Sequence, residues 1–138
     1  YSSAASDVYK RQIDDCYNAN PVSMMASIDV LSQAKGRKIA VLGDMGELGS
    51  EEKKLHGMVG THFAGKKIDA LFVTGTLAGE IAEEARRVAP ETRVYAEPDK
   101  EALEEALLEY RRPGDTILVK ASHFMGFSEI VKKLEQPQ

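Results

Sequence analysis

A chain of 138 residues, 43% hydrophobic and 29% charged, holds enough apolar material for one globular domain around a single core and lacks the bias of a disordered or fibrous protein. Its net charge of −4 comes from interleaved acids and bases, and the basic pairs Lys66-Lys67, Arg86-Arg87 and Lys132-Lys133 are scattered, which argues against nucleic acid as a partner because phosphate binding needs a clustered basic face. No apolar run reaches the ~20 residues of a membrane span, no signal peptide is visible, and the single cysteine, Cys16, cannot close an intrachain disulfide, so a reducing cytoplasm is expected.

In chain order, residues 1–12 come first and differ from the rest. They are small and polar, then basic at Lys10-Arg11. A strand carrying Asp14 and Asp15 would bring two or three apolar residues ahead of Ile13, yet Tyr9-Lys10-Arg11-Gln12 stands there. We therefore expect residues 1–12 to be a non-native or disordered leader and the domain to span 13–138, beginning inside a longer protein. Next comes Asp14-Asp15-Cys16-Tyr17-Asn18-Ala19-Asn20-Pro21, a strand-end turn unusually dense in polar side chains. Asn20 suits a helix N-cap, with Pro21 at the first helical position. That local task explains Asn20 and Pro21 but leaves Asp15, Tyr17 and Asn18 without one. Cys16 beside Asp15 is a poor nucleophile, because neighbouring carboxylates disfavour the thiolate.

A helix is predicted over about 22–34, with Met24, Met25, Ile28 and Leu31 on one face, followed by a buried strand at Lys38–Leu42. Leu42-Gly43-Asp44-Met45-Gly46-Glu47-Leu48-Gly49 then forms a glycine-rich loop able to approach other groups closely. Ser50 is predicted to cap the next helix, in which Leu55, Met58, Val59, His62 and Phe63 keep the helical period; His62 reads as structural, and His56 lies one turn in. Strands are predicted at 70–74, Arg93–Ala96 and 116–119, with helices at 77–89, from an Asp99 N-cap to about Tyr110, and over about 124–135. Lys120-Ala121-Ser122-His123 closes the last strand, where Ser122 is expected to cap the final helix and Lys120 with that helix N-terminus to attract a carboxylate.

One decoy is set aside. Gly60-Thr61-His62-Phe63-Ala64-Gly65-Lys66-Lys67 matches GxxxxGK, but Lys67 replaces the required Ser or Thr and the segment sits at a helix C-terminus, where Gly65 ends the helix. No autonomous triphosphate or dinucleotide site is expected. Strands alternating with helices of this length predict a three-layer α/β/α Rossmann-like sandwich with a mostly parallel sheet of about five to six strands. Ligands bind such sheets outside the carboxyl ends of the strands, where residues 15–20, 44–49 and 120–123 all fall.

The order and spacing of these three segments resemble the C-terminal domain of the MurF-type ligases, ATP-dependent enzymes of the Mur ligase family that add D-alanyl-D-alanine to UDP-N-acetylmuramoyl-tripeptide in peptidoglycan synthesis. The resemblance covers nearly all of the chain beyond residue 12. It implies a Mur ligase C-terminal domain that holds the dipeptide and closes over the nucleotide. By that resemblance Asp15 would accept hydrogen bonds from the ATP ribose, Asn18 and Asn20 would sit near the nucleotide or the domain seam, and Tyr17 would pack on adenine. Asp44, Met45, Glu47, His56, Lys120, Ser122 and His123 would form the dipeptide site, a carboxylate at Asp44 or Glu47 holding the ammonium. The family pattern Lys-Gly-Ser-Arg is here Lys120-Ala121-Ser122-His123, so bidentate recognition by arginine is absent.

The resemblance also implies ATP and Mg2+ as cofactors of the full-length enzyme, with neither bound by this fragment alone, and no catalytic or metal-ligating residue within it. The central ATPase and N-terminal UDP-binding domains would be separate from it. A monomer in the bacterial cytoplasm is expected. Two other readings stay open: the equivalent domain of a sister ligase adding a single amino acid, which the LGDMGELG block argues against, and a stand-alone Rossmann-like binding module.

Overall fold

The computed structural model describes the backbone of residues 10–14 and all of residues 19–137. Among the described residues five parallel strands form one sheet: β1 (Lys10–Asp14), β2 (Lys38–Leu42), β3 (Ala70–Val73), β4 (Arg93–Ala96) and β5 (Asp115–Lys120), in spatial order β1-β5-β2-β3-β4. The helices are α1 (Pro21–Ser32), α2 (Glu52–Thr61), α3 (Ala78–Val88), α4 (Lys100–Tyr110) and α5 (Ser128–Leu134). The predicted three-layer α/β sandwich is the observed architecture. Strand β1 begins at Lys10, inside the segment set aside as a leader, and pairs in register with β5 from Lys10↔Asp115 to Asp14↔Val119.

Alternation along the strands builds two cores. Ala40, Leu42, Leu71, Val73 and Leu118 face α1, α2 and α3, packing with Met24, Ile28, Leu31, Val59, Phe63 and Ile81. Their neighbours Ile39, Val41, Ala70, Phe72, Ile117 and Val119 face α4 and α5, packing with Leu103, Leu107, Phe127 and Ile130. Strands buried on both faces read as continuous apolar runs, which is why β2 and β3 stood out in the sequence. The chain steps β1→β2→β3→β4 across the sheet with α1–α3 on one face, then doubles back from β4 to β5 with α4 on the other. Right-handed crossovers require that change of face when direction reverses.

Local signals set most ends. Asn20 caps α1 as expected: its Oδ1 accepts from Ser23 N at 2.9 Å, while Ser23 Oγ accepts from Asn20 N at 3.1 Å, with Pro21 at the first position. Asp99 caps α4 through Ala102 N at 2.8 Å. Two expectations are corrected. Ser50 does not cap α2; it lies inside a 3-10 turn, Gly49–Glu51, and the N-cap is Glu51 with no side-chain bond. The last helix does not start at residue 124. A 3-10 turn, His123–Met125, ends at Gly126 in the left-handed conformation (φ 68°), and α5 begins only at Ser128.

Helices α2 and α3 approach closely at Gly60, where a Cβ would lie 2.4 Å from Ile81 O. The same glycine opened the GxxxxGK look-alike, and Gly65 (φ 73°) follows the helix in the left-handed region, as the decoy reading required. No helix among the described residues is long and apolar enough to cross a membrane.

Candidate functional site

The register aligns three strand ends on one rim: Asp14 lies level with Val119, and Leu42 with Lys120. From that rim β1 and β2 lead to helices on one face, whereas β5, between them, leads to α5 on the other. The two exits diverge and leave a crevice above β5. This is the switch point at which open parallel sheets bind ligands.

The loops after β2 and β5 are stitched together across that crevice. Gly43 N donates to Lys120 O at 3.1 Å, Ser122 N to Asp44 O at 2.9 Å, and Gly46 N to Ser122 Oγ at 2.7 Å. Glycine is required at one point of the seam and leaves close room at a second. A Cβ on Gly43 would sit 2.7 Å from the Phe127 ring and 2.9 Å from Ala121 Cβ, and one on Gly46 would sit 2.9 Å from the Phe124 ring. Phe124 itself is 68% exposed on the rim.

Within this frame the residues singled out from the sequence have distinct places. Asp44 is buried, and its Oδ1 accepts from Leu77 N at 3.0 Å and Ala78 N at 2.7 Å. It caps α3 from a different loop, complementing the positive end of that helix. An Asp44 contact to a ligand ammonium has therefore to compete with an existing structural role. Met45 is buried in the core, and its N donates to His56 Nε2 at 2.9 Å.

His56 is fully buried, with Nδ1 2.7 Å from Glu52 O. A carbonyl can only accept and an amide N–H can only donate, so Nδ1 carries the proton and Nε2 accepts. Both ring nitrogens are engaged, and His56 does not line the crevice as the resemblance implied. Glu47, by contrast, is exposed, with φ 57°. A non-glycine residue in this left-handed region costs about 1 kcal/mol.

Lys120 is fully buried at the end of β5 and is engaged within the protein, so the expected direct contact from its ammonium to a ligand carboxylate is not available in this arrangement. Ser122 makes no cap; its Oγ holds the loop after β2 instead. The turn after it is 3-10 and α5 starts six residues on, so the helix N-terminus expected to attract an anion is not there. His123 is exposed on the rim. Asn20 is exposed at the start of α1, its carbonyl oxygen held by the capping bond. Asp15, Tyr17 and Asn18 lie outside the described residues. His62 links helices rather than filling the core: its Nε2 lies 2.8 Å from Asp29 Oδ1, to which Lys66 Nζ also bonds at 2.7 Å.

Sequence reasoning missed Gly75. It sits at φ 126°, and a Cβ there would fall 2.3 Å from Asp44 Oδ1, so the α3 cap depends on this glycine. A glycine between a strand end and a helix start was the available signal.

Comparison with known proteins follows the same outline. The sequence model described as "Mur ligase, glutamate ligase domain" matches residues 6–123. The UDP-N-acetylmuramoyl-tripeptide–D-alanyl-D-alanine ligase of Bacillus subtilis is 42% identical over 124 residues, covering 88% of this chain and 27% of the relative. Among solved structures, MurF from Acinetobacter baumannii superposes with TM-score 0.76 at 30% identity, covering 93% of this chain and 28% of that one. MurF ligase from Thermotoga maritima, in complex with ADP, superposes with TM-score 0.74 at 27% identity over 91% of this chain and 28% of that one. The chain thus spans about a quarter of the length of the relatives it matches.

Proposed function

Because the chain belongs to the Mur ligase, glutamate ligase domain family, we propose that it is the substrate-binding and closure domain of an ATP-dependent ligase adding D-alanyl-D-alanine to UDP-N-acetylmuramoyl-tripeptide in peptidoglycan biosynthesis, acting as a monomer in the bacterial cytoplasm. The observation that carries the reading is the seam between the loops after β2 and β5, which brings the 43–49 and 120–123 motifs together at the switch-point crevice. The names of the relatives favour the dipeptide over a single amino acid as the incoming nucleophile.

In such a ligase the tripeptide carboxylate attacks the γ-phosphorus of ATP, ADP leaves, and the dipeptide amine then attacks the acyl carbon and expels phosphate, losing a proton. Among the described residues no group of three His, Cys, Asp or Glu side chains is placed to hold a metal ion, and no phosphate loop is present. By the family resemblance we assign the nucleotide phosphates and Mg2+ to the remaining domains, with Asp15, Tyr17, Asn18 and Asn20 meeting the nucleoside from this side.

This chain's part is positioning, which lowers a barrier by holding reactants in line. Glu47 is the exposed acid on the rim and would hold the dipeptide ammonium. His123 would face the dipeptide carboxylate, and the buried Lys120 beneath would add positive potential without a direct contact. The test is turnover by the full-length ligase. D-alanyl-D-alanine should support ADP formation and single amino acids should not, and Glu47→Gln should raise the dipeptide KM about tenfold or more, the loss of one charge-assisted bond. Turnover with a single amino acid, or an unchanged KM in the variant, would overturn the reading.

A further inference from the structure

Three successive residues of the loop after β2 are tied to three different elements. The Asp44 carboxylate holds the first turn of α3. The Met45 amide is held by His56 of α2. The Gly46 amide is held by Ser122 after β5. The residue immediately following is Glu47, in the left-handed conformation although glycines stand at 46 and 49. Turn chemistry alone would place a glycine at position 47. A side chain kept at a strained backbone position points to use of that side chain, provided the surroundings enforce the conformation.

We propose that His56 is a positioning residue that fixes the turn presenting Glu47 and takes no part in proton transfer. Its burial removes it from any ligand in the crevice, and both its nitrogens already have partners. Nε2 holds the Met45 amide to α2 at 2.9 Å. Nδ1 anchors the ring to its own helix through Glu52 O. The ring is thus a strut of set length between α2 and the loop, and Ser122 is its counterpart on the other side. The role in presenting Glu47 to a dipeptide rests on the function proposed above.

Two substitutions separate the ring's ends. Glutamine places an oxygen near the position of Nε2 and can still accept from Met45 N. Asparagine reaches only as far as Nδ1 and leaves that amide without its acceptor. In the isolated chain, amide hydrogen exchange followed by NMR should show the Met45 amide protected in the parent and in His56→Gln, and exchanging at least tenfold faster in His56→Asn. In the full-length ligase His56→Asn should raise the dipeptide KM roughly ten- to a hundredfold with the ATP KM unchanged, the scale expected when a binding group is misplaced by about an ångström. His56→Gln should restore most of it.

Ser122→Ala, which releases Gly46 without touching the core, should reproduce the selective KM effect, so the idea stays testable if His56→Asn fails to fold. Equal effects of Gln and Asn, an unchanged dipeptide KM in both His56→Asn and Ser122→Ala, or a fall confined to kcat with a shifted pH profile would overturn the proposal. A parent enzyme that does not use the dipeptide at all would instead overturn the function on which it rests, while the exchange result would still report on the strut.

Discussion

Replacing Asp44 by alanine should unfold the domain early, and the structure gives the size of the effect. One nearly buried oxygen accepts from two consecutive amides at the start of α3, at 3.0 and 2.7 Å. A hydrogen bond to a charged group contributes about 1.5–3 kcal/mol, and an anion at a partly buried helix N-terminus up to ~2 kcal/mol, in part the same energy counted differently. Alanine also leaves Ala78 N, itself buried, without this acceptor. A loss of about 2–4 kcal/mol follows, and for a domain of this size that lowers Tm by roughly 8–16 °C. Asparagine keeps an acceptor but drops the charge, so Asp44→Asn should cost about half as much. The chain has no tryptophan, so the assay is urea and thermal unfolding followed by far-UV circular dichroism. If Asp44→Ala costs under about 1 kcal/mol, or Asn is as harmful as Ala, the carboxylate is not the cap described here.

Other perturbations have equally definite signs. Gly60→Ala should lower the urea midpoint despite alanine's helix propensity, because its Cβ would meet Ile81 O at 2.4 Å and force α2 and α3 apart, an overpacking cost of ~2–3 kcal/mol; Gly57→Ala, with only Glu84 Cγ at 3.5 Å, should stabilise by up to about 1 kcal/mol. Asp115→Ala should cost about 3 kcal/mol in the same assay, since Arg37 grips the buried carboxylate with Nε at 2.9 Å and Nη2 at 2.8 Å and would keep only Tyr110 O and the Tyr110 ring. Asp29 titrates below its ordinary value of 3.8 because it bonds Lys66 and then His62, so its contribution is present above that value and lost as pH falls through the lowered one. It is half exposed, so Asp29→Asn should cost only ~0.5 kcal/mol at pH 7, a difference that shrinks as the pH is taken below 3.8 when paired urea titrations are compared.

Most of the sheet was legible because its central strands are short apolar runs between turn residues: β2 and β4 occupy the predicted spans, and β3 and β5 shift by a residue, whereas β1, Lys10-Arg11-Gln12-Ile13-Asp14, carries no such run and begins inside the segment set aside as a leader. The start of the final helix was not, since Gly126 takes a left-handed turn (φ 68°) that breaks the 3-10 segment from α5, and Phe127 just after it packs against Gly43 of a distant loop. The rim was legible as a place and less so as a set of roles. A polar residue at a strand end announces that it has a task, while its partner is a matter of tertiary structure. Asp44 finds partners 33 and 34 positions away, and Ser122 finds Gly46 76 positions away. His56 was placed in the dipeptide site by resemblance, and local spacing cannot show that the loop folds back over it and takes its Nε2 for the Met45 amide. Glu47 was one of two equivalent acids until Asp44 proved to be capping α3.

The departure at Ala121 from the glycine of the family pattern has a physical counterpart at Gly43. The two positions face each other across β5 and β2, and a Cβ on Gly43 would lie 2.9 Å from that of Ala121, 2.7 Å from the Phe127 ring and 3.1 Å from Met125 Cε. Gly43→Ala should therefore cost ~2–3 kcal/mol by overpacking. Ala121→Gly removes one fully buried methyl and adds backbone freedom, together ~1–2 kcal/mol. If the two methyls compete for one space, the double variant must cost less than the sum. The relief is partial because the Phe127 ring stands closer than the Ala121 methyl, so a coupling of about 0.5–1.5 kcal/mol is expected from urea unfolding of all four chains. Additivity within ~0.3 kcal/mol would mean that Phe127 alone excludes a side chain at position 43, and that Ala121 was accommodated without help from its neighbour.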